Sequence, residues 1–491
     1  LQRALPVIPT ERAARERRDP HLESESLPGG DRSTQRLGGA SLGMTDHSTA
    51  TPNRDQAQPD RILNSEFNQR YPCSAMPSIN VHALEDDLLL QGVWEGLGRP
   101  GCHLTGGYVR DRLLGRDSTD LDLVAPGSIH DWTGAARRLA ARLDTSAHVL
   151  GSGAKRVWRL TTDQMTIELW PMGGLRLHDD IGRRDFSCNA LVWTMPGGPL
   201  VDRVNGLADL RAGKLRGLSR ANFEDDPVRV LRASRFVAQM AGFQLEAETA
   251  AWVEALAPRL RQAPPERIGQ ELVKLVRANG AAAGLRSMLD LDLIAHAAPA
   301  GTGSDPRWLR KNLGAASALA GATAHPVTAA VAAAGDAAPL ALILRAWGSP
   351  TDDDLAGYAW PREVRKRAVT AAELLPSMTR TADAPAADRR LLIHRAGRSF
   401  PAALALAAAV EPQRPWRRWW RLWRERGRSL VAPHPLLDGH EIAAITGLAS
   451  GPDLGSASRA LLEATIRGEV RSRQGAIRWL RRSAAALSLI H

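Results

Sequence analysis

Asp120 and Asp122 are separated by one residue, a spacing that suits metal-dependent chemistry. In a β-strand, residues i and i+2 point to the same face, so both carboxylates would be directed at one place. Carboxylates that close repel each other unless a cation lies between them, and Mg²⁺ joins carboxylates to substrate phosphates. Upstream, Gly106 and Gly107 would form a turn whose backbone N–H groups can approach a ligand closely. Together these residues indicate phosphoryl or nucleotidyl transfer.

A small sheet must position these residues. The predicted elements are, in order, a strand at 102–104, the glycine turn, a helix at 109–114 with Arg110 in its first turn, a strand at 121–124, an amphipathic helix at 129–143, and strands at 147–150, 156–161 and 164–170. In the last strand, Glu168 alternates with apolar residues and so faces away from the apolar row. This order predicts a mixed sheet with helices on one face and the carboxylates on the open face.

A second motif, EDDPVRVLRASRF at residues 224–236, predicts a capped helix with a basic side. Asp226 suits an N-cap and Pro227 suits the first helical position. Arg229, Arg232 and Arg235 follow at helical spacing beside an apolar stripe. As structure alone, the motif would be a helix whose arginines face the solvent.

These motifs, together with DIGRRDFSCNA at residues 180–190, resemble the class II tRNA nucleotidyltransferase and bacterial poly(A) polymerase family. The resemblance implies an α+β fold, with a small mixed-sheet nucleotidyltransferase head domain followed by all-α neck, body and tail domains. The expected boundaries are a head at 81–215, a neck at 216–280, a body at 281–430 and a tail at 431–491. Residues 1–80 are polar without apolar periodicity, and we expect them to be a disordered extension.

The resemblance also implies roles for single residues. Asp120, Asp122 and Glu168 would be the catalytic carboxylates and would bind two Mg²⁺ ions. The implied nucleotide-binding residues are Gly106, Gly107, Arg110, Arg184, Asp185, Asn189, Asp226, Arg229, Arg232 and Arg235. Within this set, Asp185 and Asn189 would share one helix face, and Arg232 and Arg235 would hold phosphates. Asp226 and Arg229 would read the incoming base, since a carboxylate acceptor beside a guanidinium donor complements cytosine or adenine.

The helical half of the chain offers basic side chains for RNA. Residues 414–428 interleave tryptophan with arginine, which suits stacking on bases and neutralising phosphates, and we expect Arg417 and Arg418 to bind RNA. The alternative is that the tryptophans are core and the arginines only face solvent. The tail resembles the part of the family that grips the tRNA elbow, with Arg471 and Arg473 as candidates, although a solvated basic side fits equally. Residues 264–276 match the family's neck and are expected to be structural.

Composition agrees with a polyanion partner. The net charge is +11 and the isoelectric point is about 10.4. Three cysteines without metal-ligand spacing suggest a reducing cytoplasm, and no uninterrupted apolar run approaches the ~18 residues of a membrane span. We therefore expect a cytoplasmic protein without membrane attachment, and infer no obligatory protein partner.

The activity implied is template-independent addition of C and/or A to tRNA 3′ ends from CTP and ATP. Only residues 169–179 connect the Glu168 strand to Asp180, whereas full CCA-adding members usually carry a longer charged loop there. CC addition is therefore one hypothesis, and full CCA addition stays open beside it. The runner-up is a bacterial poly(A) polymerase, whose arginine-phenylalanine strand is not matched by residues 153–160. A catalytically inactive RNA-binding relative is a third possibility, against which the intact carboxylates argue.

Overall fold

A mixed sheet of seven strands carries the predicted carboxylates. The computed structural model describes residues 79–98, 101–153, 156–195, 197–321 and 327–487, all within one compact unit, Gln58–His491. The extension expected at residues 1–80 therefore lies outside the described residues, apart from its last two. The elements of the sheet region are a 3₁₀ turn (Val81–Leu84), α1 (Leu88–Leu97), β1 (His103–Thr105), α2 (Gly106–Leu113), β2 (Asp120–Ala125), α3 (Thr133–Arg142), β3 (Ala147–Leu150), β4 (Val157–Thr161), β5 (Thr166–Pro171), α4 (Leu177–Gly182), a 3₁₀ turn (Ser187–Asn189), β6 (Val192–Thr194) and β7 (Leu200–Val201).

The strand order is β3-β4-β5-β2-β1-β6-β7, and β2 and β5 are the parallel pair while the other pairs are antiparallel. Leu121 and Leu123 of β2 are buried in the core, as are Ile167 and Leu169 of β5. The acidic residues between them therefore lie on the opposite face, because strand side chains alternate. The predicted mixed sheet with carboxylates on one face is confirmed.

The predicted helix after the glycine pair begins three residues too late. Gly106 has φ +76° and is already the first residue of α2, so the chain enters the helix directly from Thr105. Arg110 therefore lies in the second turn, not the first, and its side chain is buried. The next helix is shorter than predicted, because Asp131 accepts hydrogen bonds from the backbone N–H and the hydroxyl of Ser128 and closes a turn before α3.

A helical region packs against the sheet region. Its elements are α5 (Gly206–Arg211), β8 (Lys214–Leu215), α6 (Arg220–Asp225), α7 (Val228–Gln239), β9 (Gln244–Leu245), α8 (Ala247–Leu256), a 3₁₀ helix (Ala257–Gln262), α9 (Pro265–Arg277) and α10 (Ala281–Asp290). Helix α7 contacts α9 and α10, and its apolar residues are buried between them. The predicted cap is one residue off: Pro227 is the N-cap, while Asp226 accepts the N–H of Val228 at 3.3 Å.

The rest of the described chain is helical. Its elements are α11 (Leu293–His296), α12 (Pro306–Lys311), α13 (Leu313–Ala320), α14 (Thr328–Ala334), α15 (Ala337–Ala346), a 3₁₀ turn (Ala356–Tyr358), α16 (Arg362–Arg380), α17 (Ala386–Ala396), a 3₁₀ turn (Gly397–Ser399), α18 (Phe400–Val410), α19 (Trp416–Val431), α20 (Gly439–Thr446), α21 (Pro452–Arg467) and α22 (Arg473–Leu487). One hydrophobic core runs from Leu84 into α19 and also includes Ile466 of α21, whereas a separate small core joins α20, α21 and α22. The expected domain boundaries stay predictions.

None of the described helices is by itself long and apolar enough to span a membrane. One pair, Thr328–Ala334 with Ala337–Ala346, has that length and apolar character only when its two helices are joined across an 84° bend. Cys102 and Cys188 are buried free thiols, and burial raises the pKa of each to about 12. The third cysteine, Cys73, lies outside the described residues.

Candidate active site

The three predicted carboxylates converge where β2 and β5 run side by side. Asp122 is directly opposite Glu168 in the strand register, and Asp120 lies two residues earlier on the same face of β2. Gly106 borders this site. A Cβ at Gly106 would lie 2.8 Å from Oδ2 of Asp122, and φ of +76° is a conformation that side chains rarely adopt. Glycine is therefore required at this position by its contact with the carboxylate as well as by its backbone conformation.

The electrostatics of Asp122 suit a bound cation. Burial is the largest cause that raises the pKa of Asp122, and the neighbouring carboxylates of Glu168 and Asp120 add to it, while Arg184 and Arg232 oppose it. The result is a pKa of about 6. An ionised Asp122 is thus short of nearby positive charge, which a divalent cation would supply. Oxygen donors of this kind fit Mg²⁺.

Glu168 is held by two neighbours. Arg159 of β4, its register partner, forms an ion pair with Glu168, with Nε 2.7 Å from Oε1. The indole Nε1 of Trp170 donates to Oε2 of Glu168 at 3.1 Å. Both carboxylate oxygens are therefore engaged, and among the described residues no group of three His, Cys, Asp or Glu side chains is arranged as a metal-ligand set. That Asp120, Asp122 and Glu168 hold the metal stays a prediction.

A chain of polar contacts links α2 to α7 beneath the carboxylates. Arg110 donates from Nη1 to Oδ1 of Asn189 at 2.6 Å, and Asn189 donates from Nδ2 to Oδ1 of Asp185 at 3.1 Å. Asp185 also forms an ion pair with Arg232 at 2.8 Å. The predicted shared helix face is wrong: Ser187–Asn189 is a 3₁₀ turn, since the N–H of Phe186 is taken by the side chain of Asp185.

Burial by itself would raise the pKa of Asp185, which is 4% exposed. Arg232 opposes this most strongly, followed by the hydrogen bonds from Asn189 and the backbone of Phe186, so the pKa is lowered overall. Asp185 is therefore a fixed anion that orients Arg232. Beside it, Arg184 pairs with Asp180 at 2.7 Å.

The predicted base-reading pair has a third member that the sequence did not reveal. Nε of Arg229 lies 3.8 Å from Oδ2 of Asp226. Arg267 of α9 donates to both carboxylate oxygens of Asp226, each at 2.8 Å. Burial would raise the pKa of Asp226, but the hydrogen bonds and charge of Arg267, and then the charge of Arg229, lower it. The neck helix at residues 264–276 thus fixes the position of the predicted base-reading residue Asp226 through Arg267. The arginine in the first turn of that helix was the available signal in the sequence for this contact.

Arg235 occupies a different environment from Arg232. It forms a buried ion pair with Glu271 of α9, and its guanidinium lies 3.9 Å from the ring centre of Phe236. Burial lowers the pKa of Arg235 to about 10, with Glu271 opposing that change. Arg110 and Arg232 lie 5.3 and 5.5 Å from the same ring. Three guanidinium groups therefore surround Phe236 at the base of the site.

These side chains enclose one cavity of about 790 Å³. Every predicted metal and nucleotide residue except Asp226 lines it, together with side chains that the sequence analysis did not select: Asp111, Ser118, Val124, Trp170, Pro171, Met172, Leu175, Asp180, Arg183, Phe236, Gln239 and Lys274. The cavity thus brings carboxylates and arginines together around a space of nucleotide size. Such a cavity can bind a polyphosphate next to a metal.

The predicted RNA-binding residues lie outside this cavity. Arg417 and Arg418 are exposed on α19, whereas Trp416 and Trp419 of the same helix are buried in the core. Arg417 also lines a second cavity of about 600 Å³ together with four further α19 residues, Trp420, Arg421, Arg424 and Glu425. In the tail, exposed Arg471 donates to the carbonyl of Gly468 at 2.9 Å and Arg473 pairs with Glu441.

Comparison with known proteins identifies the family. Residues 140–216 match the poly A polymerase head domain, and residues 242–302 match the probable RNA and SrmB-binding site of polymerase A. The chain is 31% identical to the CC-adding tRNA nucleotidyltransferase of Geobacter sulfurreducens, over 77% of this chain and 91% of that protein. It is 30% identical to the A-adding tRNA nucleotidyltransferase of Deinococcus radiodurans, over 78% and 95%. The chain belongs to the tRNA nucleotidyltransferase and bacterial poly(A) polymerase family.

Other members of this nucleotidyltransferase family match less of the chain or at lower identity. The CC-adding tRNA nucleotidyltransferase of Synechocystis is 35% identical over 175 residues, which span 35% of this chain and 41% of that protein. The CCA-adding enzyme of Bacillus stearothermophilus, solved in complex with CTP, superposes with a TM-score of 0.61 at 23% identity, over 82% of this chain and 98% of that enzyme. This likeness confirms the predicted fold of a mixed-sheet head followed by helices.

Proposed function

We propose that this nucleotidyltransferase extends tRNA 3′ ends with C and/or A, using CTP and ATP. The observation that carries the proposal is the cavity that Asp120, Asp122 and Glu168 line together with several arginines. Two relatives that align over most of the chain are tRNA nucleotidyltransferases. We expect the enzyme to act in the cytoplasm, where tRNA and nucleoside triphosphates meet.

The residues of the cavity, together with Asp226 and Arg267, would share the tasks of in-line displacement. Asp120, Asp122 and Glu168 would hold Mg²⁺, which would supply activation of the RNA 3′-hydroxyl and stabilisation of the leaving pyrophosphate, the chemistry of two-metal sites. Arg184 and Arg232, whose charges act on Asp122, would bind the triphosphate oxygens. Asp226 would accept from the exocyclic amine of cytosine or adenine while Arg229 donates to a ring acceptor, and Arg267 would keep the carboxylate in place.

Within this activity, we propose that the enzyme adds CC. Strand β5 ends at Pro171 and α4 begins at Leu177, so only residues 172–176 lie between them. The N–H of Met172 donates to the carbonyl of Ala125 at 2.7 Å, and the N–H of Gly173 donates to Gly127 at 2.9 Å. This short, tied connection stands where full CCA-adding members usually carry a long charged loop that helps the base-reading pair change from C to A. The relatives include CC-adding enzymes at 31% and 35% identity beside an A-adding enzyme at 30%, so the proposal of CC addition rests on the short connection.

Extension assays on three tRNA transcripts test both the proposed addition of C and/or A and the proposed CC specificity. The transcripts would end before CCA, after the first two C residues, and after the complete CCA. Each would be incubated with Mg²⁺ and CTP, ATP or both, and the products would be separated on a sequencing gel. Two added C residues without A would support CC addition, and a completed CCA would contradict it. Long A tails would favour the poly(A) polymerase alternative, while bound but unextended tRNA would indicate an inactive RNA-binding relative.

A further inference from the structure

One wall of the catalytic cavity is apolar. Trp170 is 37% exposed and Leu175 is 39% exposed, and both line the cavity together with Pro171 and Met172. We call these four residues the apolar ledge. Large apolar side chains that stay exposed inside a polar site usually mark a binding surface.

The ledge adjoins the carboxylates. Trp170 follows Glu168 by two residues on β5, so the two side chains lie on the same face of the strand. The indole N–H donates to Oε2 of Glu168 at 3.1 Å, which fixes the edge of the ring next to the proposed catalytic centre. A flat group that is held in this place can contact whatever is bound beside the carboxylates.

The ledge is also rigid. Its backbone is tied to β2 and to the residues that follow that strand, through the hydrogen bonds of Met172 and Gly173. The N–H of Leu175 donates to the carbonyl of Met172 at 3.0 Å, which closes a turn. A surface whose shape is already fixed loses little conformational entropy when it binds a ligand. The ledge is therefore preorganised for contact.

The other residues of the cavity narrow what can occupy the ledge. The charges of Arg184 and Arg232 act on Asp122, so these two arginines suit the triphosphate, while Arg229 belongs to the proposed base-reading pair. The remaining reactant is the RNA, whose terminal 3′-hydroxyl has to reach the carboxylates for in-line attack. The base of that terminal nucleotide must then lie near the same carboxylates, and the ledge is an apolar surface beside them.

We propose that the apolar ledge stacks on the terminal nucleobase of the RNA primer and so positions its 3′-hydroxyl. This inference rests on the proposed function. Stacking suits the task because every base has an apolar face, so the contact tolerates any sequence. The enzyme needs such tolerance, since the terminal base before addition differs between tRNAs and becomes C after the first addition.

The inference is tested by removing the ring of Trp170 and the terminal base of the primer, first singly and then together. Primer KM would be measured for the wild type, Trp170→Ala and Trp170→Phe, with a tRNA that ends in a normal nucleotide and with one whose last nucleotide lacks its base. In the wild type, removing the base should raise primer KM about tenfold. In Trp170→Ala the primer KM should be raised by about that factor already, and removing the base should add little. Trp170→Phe should keep most of the base effect, and CTP KM should stay unchanged throughout.

A second readout needs neither metal nor turnover. A tRNA with 2-aminopurine at its last position would be titrated with enzyme in EDTA, where stacking on Trp170 should quench the fluorescence. Trp170→Ala should lose that quenching and Leu175→Ala should reduce it, whereas Leu88→Ala, which removes an exposed leucine outside the cavity, should retain it. Thermal melts would confirm that each variant is folded.

Three results would overturn the inference. The first is an equal base effect in the wild type and Trp170→Ala. The second is a rise in CTP KM with unchanged primer KM, which would assign the ledge to the incoming nucleotide. The third is a Trp170→Phe variant that matches Trp170→Ala in primer KM and in the size of the base effect, which would mean that Trp170 acts through its N–H bond to Glu168 and not through the face of its ring. If the wild type extends no RNA, the proposed function fails, and the quenching in EDTA still decides on the ledge.

Discussion

Asp122 is the residue of the catalytic cavity on which both neighbouring carboxylates and neighbouring arginines act electrostatically. Its carboxylate faces Glu168 across two strands, is influenced by Asp120, and is balanced only in part by Arg184 and Arg232. The site therefore favours a protonated Asp122 or a bound cation. Either state removes the repulsion between carboxylates.

Replacing Asp122 should make the metal-free protein more stable at neutral pH. The pKa of Asp122 is raised from 3.8 to about 6, so the folded state binds more protons than the unfolded state between these values. The free energy of unfolding therefore falls as pH rises through this range and stays lower above it. Asp122→Asn should remove a penalty of up to about 3 kcal/mol at pH 7.5 and less at pH 4.5.

Thermal melts in EDTA at the two pH values measure this difference. Asp163→Asn, at an exposed position outside the cavity, controls for the loss of one negative charge. An Asp122→Asn protein that melts below the wild type at pH 7.5, or that gains equally at both pH values, would contradict the pKa assignment.

Arg267 should control base selection without touching the reacting atoms. Arg267→Ala removes two hydrogen bonds from Asp226, each 2.8 Å long, and frees that carboxylate. Hydrogen bonds to charged groups contribute ~1.5–3 kcal/mol, so kcat/KM for CTP should fall roughly 10- to 100-fold. Misincorporation of UTP should rise, and Arg267→Lys should restore little because a lysine cannot bind both oxygens in the same way.

Single-nucleotide kinetics with CTP and UTP would measure both effects. Arg261→Ala is the matched control, since this arginine donates to the carbonyl of Ala295, outside the base-reading pair. Unchanged discrimination in Arg267→Ala would show that Asp226 needs no support from α9.

At the scale of elements, five of the seven strands of the sheet could be predicted, whereas β6, β7 and the contacts between elements could not. Alternation of apolar and polar residues located β2 and β5 within two residues at each end, because one face of each is buried. The ion pair of Arg159 with Glu168 depends on the register of β4 against β5, and that of Arg267 with Asp226 depends on how α9 packs on α7. Neither contact is local in sequence, so no spacing rule reveals it.

Gly106 gives an element-scale prediction. In Gly106→Ala, the new methyl group would meet Oδ2 of Asp122 at 2.8 Å, and the residue would keep a φ that costs about 1–3 kcal/mol outside glycine. We expect a lower melting temperature and loss of nucleotide incorporation. Gly92→Ala is the matched control: nothing lies within 4 Å of the new methyl group in α1, so this change should stabilise the protein by ~0.5–1 kcal/mol. Normal incorporation by Gly106→Ala would contradict the assigned geometry.

At the scale of the whole molecule, the catalytic cavity and the predicted RNA-binding arginines occupy different parts of the chain. Arg417 and Arg418 are on α19, and Arg471 and Arg473 belong to the tail with its own small core. We propose that these exposed arginines bind the phosphates of the folded tRNA, which would position the RNA without reading its sequence. A substitution that abolishes nucleotide transfer in the cavity should therefore leave tRNA binding intact.

The most direct test of this account compares the wild type with Asp120→Asn on a tRNA that lacks CCA. Incorporation of labelled CTP in Mg²⁺ and tRNA affinity by filter binding would be measured on the same preparations. The account predicts that the wild type adds nucleotides, and that Asp120→Asn loses incorporation at least 10³-fold while its tRNA affinity stays within about twofold. Incorporation retained by Asp120→Asn would contradict the assignment of the carboxylates as the metal-binding catalytic site.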